Sequence, residues 1–305
     1  MRHILEADVS PSVREGPAQM STSHQIPWQF KIAAKLVLSR VPVSHKFFQR
    51  AGVFRLGEMS HPEYALGVFR RHFGRAKFAR KSQPFVTLEL GPGDSLFSIV
   101  IARAFGASAA YAVDEGSFAS ADISDYRHLE TYLGKFGPHV QILAKCSTVE
   151  DVVRVCDGSY LTHGLDSLRL VPTASVDFVF SHTVLQHIRR RDFSPMLEEL
   201  RRIQRPDGVG SHTVSISDIL GGSLNDLRFS EKTWESELMA SSGFYTNRIR
   251  YGQYLKMFRD AGFVSQVYRT AQWKTLPTPR SKMAPEFAAL PDEDLQVSGF
   301  DVYLH

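Results

Sequence analysis

The sequence is poor in cysteine and has no long apolar run. Its two cysteines, Cys146 and Cys156, do not form a Cys-x-x-Cys pair, so neither a zinc site nor a disulfide scaffold is expected. No His-Glu-x-x-His metal pattern occurs either. No stretch approaches the ~18 consecutive apolar residues of a membrane span, and residues 1–20 do not resemble a secretory signal. These absences favour a cytoplasmic protein without a resident metal.

Charge is distributed unevenly along the chain. The 305 residues are 43% hydrophobic and 22% charged, which is typical of a globular protein, and they show no internal repeat. Residues 26–81 carry twelve Lys and Arg against two acids, so the remainder is net negative. A basic segment of this kind favours contact with an anionic substrate, a membrane surface or RNA, and it equally fits a solvated cationic face.

The composition predicts three segments. Residues 1–25 are rich in Ser, Pro, Glu and Gln without periodicity, which indicates a disordered arm. Residues 26–80 are predicted to form a basic helical N-terminal cover. Residues 81–305 are predicted to form the main domain, with an insertion at about 218–251 that departs from a generic pattern.

The predicted cover contains amphipathic helices. Trp28, Ile32 and Leu36 recur at intervals of four, and lysines occupy another face of the same helix. A second helix is predicted at residues 62–73. The cover is interpreted either as a lid or peripheral membrane contact, or as helices packed on the main domain.

Residues 85–102 have the pattern of a strand, a glycine turn and a helix. A β-rich apolar run ends at Leu90, Gly91-Pro-Gly93 follows, and an apolar helical run comes next. Glycine at both places lets the backbone turn sharply and come close to a ligand. A dinucleotide fingerprint would need a third glycine where Leu96 stands, so that ligand is disfavoured.

The acidic residue two positions before the first glycine restricts the expected class of ligand further. The motif Glu89-Leu-Gly-Pro-Gly resembles motif I of class I S-adenosylmethionine (SAM) methyltransferases, and Ser95 stands where that family often has a third small residue. Asp114 directly follows the next short apolar strand. A carboxylate at such a strand end can accept hydrogen bonds from both ribose hydroxyls, and the adjacent Glu115 is the alternative.

Two later blocks carry the same resemblance. The strand pattern that ends at Ser181 continues into His182-Thr-Val-Leu-Gln-His187, which is similar to the fourth motif of that family. The Pro206-Asp-Gly turn resembles its Pro-Gly-Gly turn. The resemblance covers about residues 85–270 and implies an α/β fold with a Rossmann-like, seven-stranded, mostly parallel sheet and helices on both faces.

The resemblance also implies SAM as the cofactor and S-adenosylhomocysteine as its product. SAM would lie across the carboxyl ends of the first, second and fourth strands. In the family an acid after the third strand often contacts adenine; here Leu165 stands at that place and Asp166 follows. The predicted cofactor contacts are Glu89, Gly91, Pro92, Gly93, Asp94, Ser95, Asp114, Leu165, Asp166, Ser181 and His182.

The catalytic candidates follow from the chemistry of the acceptor. A hydroxyl acceptor needs a base, whereas a neutral amine can react without one. His182 is the first candidate, because it follows the fourth strand on the rim where the methyl group is expected; the alternative is a rim residue that hydrogen-bonds the cofactor. His187 and Asp218 are further candidates, and a structural role is the alternative for His187.

Acceptor contacts are predicted on the cover and in the insertion. An arginine there could bind a carboxylate or phosphate, so an anionic acceptor is one interpretation, and hydrogen bonds that stabilise the loop are the other. The predicted substrate contacts are Tyr64, Arg228, Tyr245, Asn247 and Arg248.

The favoured function is O-methylation of a small molecule or glycan in a biosynthetic pathway, because covering helices and a long insertion suit a shaped pocket. RNA or protein methylation is the alternative among enzymes, and a non-catalytic binding or scaffold module is the alternative outside them. An NAD(P)-linked enzyme is a more distant alternative. We expect no stable nucleic-acid partner, and the sequence does not define the oligomeric state.

Overall fold

Seven strands form one sheet at the centre of the molecule. The computed structural model describes residues 29–30, 32, 58–78, 80–136 and 142–305, so the predicted arm and most of the predicted cover lie outside the described residues. The strands are β1 (Phe85–Leu90), β2 (Ala107–Val113), β3 (Gly158–Leu161), β4 (Val176–His182), β5 (Gln204–Ser215), β6 (Ser265–Gln272) and β7 (Val297–Leu304). Their order in the sheet is β3-β2-β1-β4-β5-β7-β6.

The strand directions match the predicted fold class. Strands β1 to β5 pair in parallel, and β7 lies between β5 and β6 and is antiparallel to both. Parallel neighbours need a crossover between them, and helices supply it here. The Rossmann-like, mostly parallel, seven-stranded sheet predicted from the sequence is confirmed.

Helices cover both faces of this sheet. The longer ones are α1 (Pro62–Arg75), α2 (Phe97–Ala104), α3 (Ile123–Leu133), α4 (Val149–Val155), α5 (Gly164–Leu170), α6 (Arg190–Ile203) and α9 (Tyr251–Asp260). The short ones are α7 (Glu231–Trp234), α8 (Glu237–Ala240), α10 (Pro285–Ala288) and α11 (Asp292–Gln296). Buried side chains of α1 to α4 form one apolar cluster with the sheet, and those of α5, α6 and α9 form a second.

Helix α1, the described part of the predicted cover, belongs to the main core. The rings of Phe69 and Phe73 on α1 pack against Phe178 on β4, with centroids 6.2 and 5.8 Å away. The side chains of Phe69 and Phe73 are 1% and 0% exposed. The apolar core is therefore continuous across the boundary predicted at residue 80, and α1 is a layer of the α/β fold.

Two strands are irregular near the predicted site motifs. In β5, Gln204 already pairs with Val176 before a register shift brings Val209 opposite Phe178, so the Pro206 turn is a bulge within the strand. β3 ends at Leu161, and α5 begins three residues later, so the adenine candidates Leu165 and Asp166 lie in a helix.

The insertion at 218–251 forms a small apolar cluster beside the sheet. It contains a 3-10 turn (Asn225–Arg228) followed by α7 and α8. Trp234 is fully buried there, and Ile32 from the described N-terminal residues packs into the same cluster. None of the described helices is long and apolar enough to cross a membrane.

Candidate active site

The glycine turn after β1 has the geometry that only glycine accommodates. Gly91 and Gly93 have φ values of 65° and 69°, in the left-handed region. A Cβ on Gly91 would stand 2.5 Å from Cγ2 of Val184, and the Gly91 N–H donates to the Val113 carbonyl at 2.8 Å. Pro92 between the two glycines is buried. Gly91 therefore packs directly against Val184, and a residue with a side chain would not fit at this place in the turn.

The carboxylate of Asp114 lies at this loop. It accepts the Gly93 N–H at 3.1 Å on Oδ2 and the Glu115 N–H at 2.8 Å on Oδ1. Burial raises the pKa of Asp114 to about 6, and these two hydrogen bonds oppose that rise. The fold thus joins two residues 21 positions apart that the sequence assigns to the cofactor.

The loop after β2 closes against the glycine turn. The Ser120 N–H donates to the Asp94 carbonyl at 2.8 Å. The Tyr160 hydroxyl on β3 donates to the Gly116 carbonyl at 3.0 Å and accepts the Phe118 N–H at 3.0 Å. Tyr160 is missing from the predicted site because its partners are 44 and 42 positions away in the sequence.

Two polar side chains of the glycine motif turn inward. Glu89 is 3% exposed and accepts a hydrogen bond from the Ser98 hydroxyl on α2. Burial raises the pKa of Glu89 to about 8, although the Ser98 hydrogen bond opposes the rise. The Ser95 hydroxyl donates to the Met59 carbonyl at 2.5 Å, which ties the loop to the segment before α1. Both side chains shape the loop from within the protein.

The start of α5 lies beside Asp114. The Gly164 N–H donates to the Asp114 carbonyl at 2.8 Å, so the first turn of α5 is at the same sheet edge as the glycine loop. Leu165 is half-buried in that turn. Asp166 is exposed and pairs with Arg169 at 2.6 Å. Of these two adenine candidates, Leu165 is the one held against the fold.

Strand β4 ends next to the glycine turn. Ser181 pairs with Leu90, the residue just before Gly91. The Ser181 side chain is fully buried and its Oγ lies 2.8 Å from Nδ1 of His212. Because successive strand residues face opposite sides, the His182 side chain points to the α1 face of the sheet. The site predicted at Ser181 and His182 is therefore split between two faces.

His182 is held by groups from α1. Its Nδ1 lies 3.2 Å from Nε2 of His72, and its ring meets the Tyr64 ring edge-on at a centroid distance of 6.3 Å. Burial and, to a smaller extent, Arg71 lower the pKa of His182 to about 4, while Asp301 opposes them. The imidazole is therefore neutral at physiological pH. His72 could be placed on the buried face of α1 by helical periodicity, but its partner is 110 positions away.

The backbone after His182 is strained. Thr183 has a φ of 57°, which is unfavourable for a β-branched residue. Its N–H donates to the Thr213 carbonyl at 2.8 Å and its hydroxyl donates to the His182 carbonyl at 2.7 Å. Strain of this kind persists where the surrounding contacts over-determine it, and such residues cluster at functional sites.

A cluster of charged side chains lies next to His182 on the sheet. Thr213 on β5 pairs with His182, and its hydroxyl donates to Asp301 on β7 at 2.8 Å. The Asp301 carboxylate, 4% exposed, also accepts Arg75 and Arg269 at 3.2 Å each. Two arginines around one carboxylate leave a net positive charge beside the histidine.

The other two catalytic candidates have structural partners. Nδ1 of His187 lies 3.0 Å from the Tyr245 carbonyl. Asp218 is 3% exposed, and its carboxylate accepts backbone N–H groups within the insertion. The donors are Leu220, Gly221, Ser223 and Asn225, at 2.6 to 3.2 Å. A carboxylate that already accepts four backbone hydrogen bonds holds its loop together and does not fit the role of a base.

Two predicted acceptor contacts of the insertion, Asn247 and Arg248, are almost fully buried. Asn247 donates to the carbonyls of Leu185 and Ile188 at 2.8 and 3.1 Å, which ties the insertion to the segment after β4. Arg248 lies between the rings of Trp234 and Phe287, 5.3 and 4.8 Å from their centroids.

The remaining two predicted contacts of the insertion also bind protein groups. The Tyr245 hydroxyl donates to Glu235 at 2.9 Å, and Nε of Arg228 donates to Asn225 Oδ1 at 2.9 Å. Tyr64 is the member of the predicted set that lies against His182. In the part of the chain that the structure describes, no group of three His, Cys, Asp or Glu side chains could hold a metal ion.

Comparison with known proteins supports the assignment of the class. A family model described as a methyltransferase domain matches residues 140–210, which include β3, β4 and the start of β5. No curated protein sequence matches the chain.

Solved structures give distant likenesses. The Burkholderia thailandensis 1,6-didemethyltoxoflavin-N1-methyltransferase, solved with S-adenosylhomocysteine, is 12% identical, with 95% of this chain and 96% of that chain covered and a TM-score of 0.42. A SAM-dependent methyltransferase from Aquifex aeolicus is 15% identical, with 81% and 90% covered and a TM-score of 0.37. One from Mesorhizobium loti is 13% identical, with 82% and 100% covered and a TM-score of 0.41. At these scores the likenesses carry no argument about the acceptor.

The sheet order and the glycine turn with Asp114 beside it form a Rossmann-like fold, and the methyltransferase-domain model matches its middle part, residues 140–210. The motifs that resemble class I SAM-dependent methyltransferases thus lie in a fold of the kind that the resemblance implies.

Proposed function

We propose that the protein methylates a hydroxyl oxygen of a small molecule or glycan, with His182 as the base that receives the hydroxyl proton. The observation that carries the proposal is the neutral imidazole of His182 at the carboxyl end of β4, one residue beyond the pairing of Ser181 with Leu90. The glycine turn begins immediately after Leu90, so His182 and the glycine turn lie at the same edge of the sheet.

Several described residues fit SAM at this edge. The turn at Gly91 and Gly93 has positive φ values and no side chains at these two positions, which allows a ligand to approach its backbone closely. We assign the Asp114 carboxylate to the ribose hydroxyls, Leu165 to apolar contact with the adenine, and the glycine turn to the amino-acid end. SAM supplies an electrophilic methyl group on a good leaving group. The protein has to hold the acceptor in line, and such alignment is worth ~7–11 kcal/mol.

The low pKa of His182 decides how it acts as a base. A ring with a pKa of about 4 stays unprotonated and free to accept a proton across the physiological range. Its basicity is modest, so proton transfer would accompany attack on the methyl group instead of preceding it. The charged groups facing the ring are Arg71 from α1, Arg269 from β6 and Asp301 from β7. Turnover should therefore stay flat with falling pH and decline only towards about pH 4 to 5.

The acceptor class is inferred from the enclosure of the site. Tyr64 on α1 lies against His182, and Asn247 ties the insertion to the segment that follows β4. Walls from two elements suit a discrete acceptor better than a long polymer. The positive charge around Asp301 favours an acceptor that carries an anionic group.

The first test separates cofactor binding from methyl transfer. SAM and S-adenosylhomocysteine should raise the melting temperature, and NAD(H) should not. Tritium transfer from methyl-labelled SAM should then be measured with a panel of phenols, hydroxy acids and sugars. His182→Ala should keep the thermal shift and lose most of the transfer, about a hundredfold or more. His128→Ala, at an exposed position on α3, is the matched control and should transfer normally.

Three results would contradict the proposal in different ways. Absence of any adenosyl-ligand shift would indicate a binding or scaffold module instead of an enzyme. Full activity of the His182→Ala variant would show that His182 is not the base. Methylation of RNA or protein in preference to the panel, with RNA binding that weakens steeply with salt, would support the alternative suggested by the basic residues 26–81.

A further inference from the structure

A second histidine, His72 on α1, stands directly behind His182. It is 3% exposed. Its Nε2 lies 3.2 Å from Nδ1 of His182, and its Nδ1 lies 2.9 Å from the hydroxyl oxygen of Ser211 on β5. Both nitrogens of a buried ring are thus engaged, one by the proposed base and the other by a fixed hydroxyl group.

A neutral imidazole donates from one nitrogen and accepts at the other. Burial lowers the pKa of His72 well below its usual value, and the neighbouring His182 and His212 lower it further. Both rings in the pair are therefore neutral. The nitrogens of His72 and His182 that face each other share a single proton, which one ring donates and the other accepts.

Only two proton arrangements are possible along the hydrogen bonds that connect His182, His72 and Ser211. In the first, Nδ1–H of His182 donates to His72, and Nδ1–H of His72 donates to Ser211. Nε2 of His182 then carries a lone pair that can accept a proton. In the second, every hydrogen bond is reversed, and Nε2 of His182 carries a hydrogen and cannot act as a base.

We propose that His72 is a positioning residue that holds His182 in the Nδ1–H tautomer, with Ser211 as the anchor. This inference rests on the proposed role of His182 as the base, because that role needs a free Nε2. During transfer the acceptor oxygen bonds to the methyl carbon as the sulfur–methyl bond of SAM breaks, and the sulfur keeps that electron pair and leaves as S-adenosylhomocysteine. The acceptor O–H bond breaks in the same step, and its proton moves to Nε2 of His182. The imidazolium produced keeps its Nδ1–H bond to His72, so the ring does not turn during the step.

Helix α1 is deeply buried where it carries His72. Phe69 and Phe73 on the same face of α1 pack against β4, and the His72 ring lies 5.7 Å from that of Phe180. These contacts fix the height of His72 relative to His182. A fixed acceptor on one ring nitrogen determines which nitrogen of the other ring is free.

The test is ¹⁵N NMR of the histidine rings in the full chain with S-adenosylhomocysteine bound. Long-range nitrogen–proton spectra distinguish the two tautomers, and the His182→Ala variant assigns the His182 signals. We expect His182 to be protonated on Nδ1 in the natural protein. His72→Leu should lose that pattern and populate the Nε2–H form, whereas His72→Gln, which keeps an amide oxygen near the Nε2 position, should retain much of it.

Controls separate positioning from simple folding. His128→Leu removes an exposed ring on α3 and should leave the His182 signals unchanged. Melting curves with S-adenosylhomocysteine should show that His72→Leu still folds and binds. If it does not, Ser211→Ala, which frees Nδ1 of His72 and removes less volume, should shift the His182 tautomer instead.

The outcomes are separable from those of the proposed function, because the spectra do not depend on turnover. A proton on Nε2 of His182 in the natural protein would overturn the inference. An unchanged tautomer in folded His72→Leu would also overturn it. Loss of activity in His182→Ala together with either result would leave the base in place and remove only the role of His72.

Discussion

The buried carboxyl group of Glu89 should make the protein less stable as the pH rises. Glu89 is 3% exposed, and burial raises its pKa to about 8, whereas an unfolded glutamate titrates near 4.5. Between these values the folded state binds more protons than the unfolded state, so the free energy of unfolding falls with increasing pH. Over the interval from about pH 5 to about pH 8 the loss amounts to about 3 to 4 kcal/mol.

Replacement of Glu89 by glutamine should remove that pH dependence. Glutamine keeps an oxygen that can accept the hydrogen bond from Ser98, but it has no proton to lose. The new amide N–H groups can shift stability by a constant amount, so the slope against pH is the informative quantity. Urea unfolding at about pH 5, 6.5 and 8 should show the variant gaining on the natural protein at each step.

A control variant tests whether removal of any negative charge has the same effect on stability. Glu198→Gln removes the same charge from an exposed position on α6 and should follow the natural protein at every pH. The reasoning is refuted if Glu89→Gln and the natural protein lose stability in parallel. A parallel loss would mean that the carboxyl group is already ionised, or that water reaches it.

Three further predictions concern the site. Asp114→Asn should weaken SAM binding about tenfold to a hundredfold in calorimetry, and binding to the natural protein should itself weaken below about pH 6, where the raised pKa of Asp114 leaves it protonated; a flat profile would contradict this. Thr183→Gly should raise the free energy of unfolding by about 1 kcal/mol in urea by relieving its positive φ, yet lower turnover because His182 loses a fixed neighbour. Ala174→Gly, at a φ of 50° away from the site, should give the same stabilisation with normal turnover, and equal turnover in both variants would argue against a role for the strain. Asp218→Ala should cost about 3 kcal/mol in the same assay, because backbone N–H groups lose their acceptor, while Asp218→Asn should stay folded and active; a folded, SAM-binding but inactive Asp218→Asn variant would restore its catalytic assignment.

The parts of the fold that the sequence predicts well are those with local signals. The glycine turn at Gly91 and Gly93 needs a backbone conformation that few residues adopt, and the short apolar run before Asp114 reads directly as a strand. The helix predicted at residues 62–73 is found as α1 (Pro62–Arg75). Such elements are set by neighbours in the chain, so composition and spacing are sufficient.

Contacts between distant parts of the chain are what the sequence does not reveal. His72 and His182 are 110 positions apart, and nothing in α1 beyond its periodicity distinguishes His72 from a core residue. The arginines of the insertion show the opposite difficulty. Arg248 has the composition of an anion-binding residue, but the fold places it between two aromatic rings with its donors on the Asp226 and Phe229 carbonyls. A polar residue that supports a loop and one that faces a ligand look alike until the fold assigns their partners.

This distribution of polar partners changes where acceptor recognition is expected. Asn247, Arg248 and Asp218 bind protein groups within the insertion or at its junction with the segment after β4, so the insertion acts as a rigid wall. The polar groups that face His182 come instead from α1 and the antiparallel end of the sheet: His72, Tyr64, Arg71, Arg269 and Asp301. Because α1 carries both Tyr64 and His72, and because its apolar face is part of the main core, one helix would link stability to the proposed orientation of His182 and to the proposed acceptor contact of Tyr64. Changes on the polar face of α1 should therefore alter acceptor preference, whereas changes on its apolar face should unfold the domain.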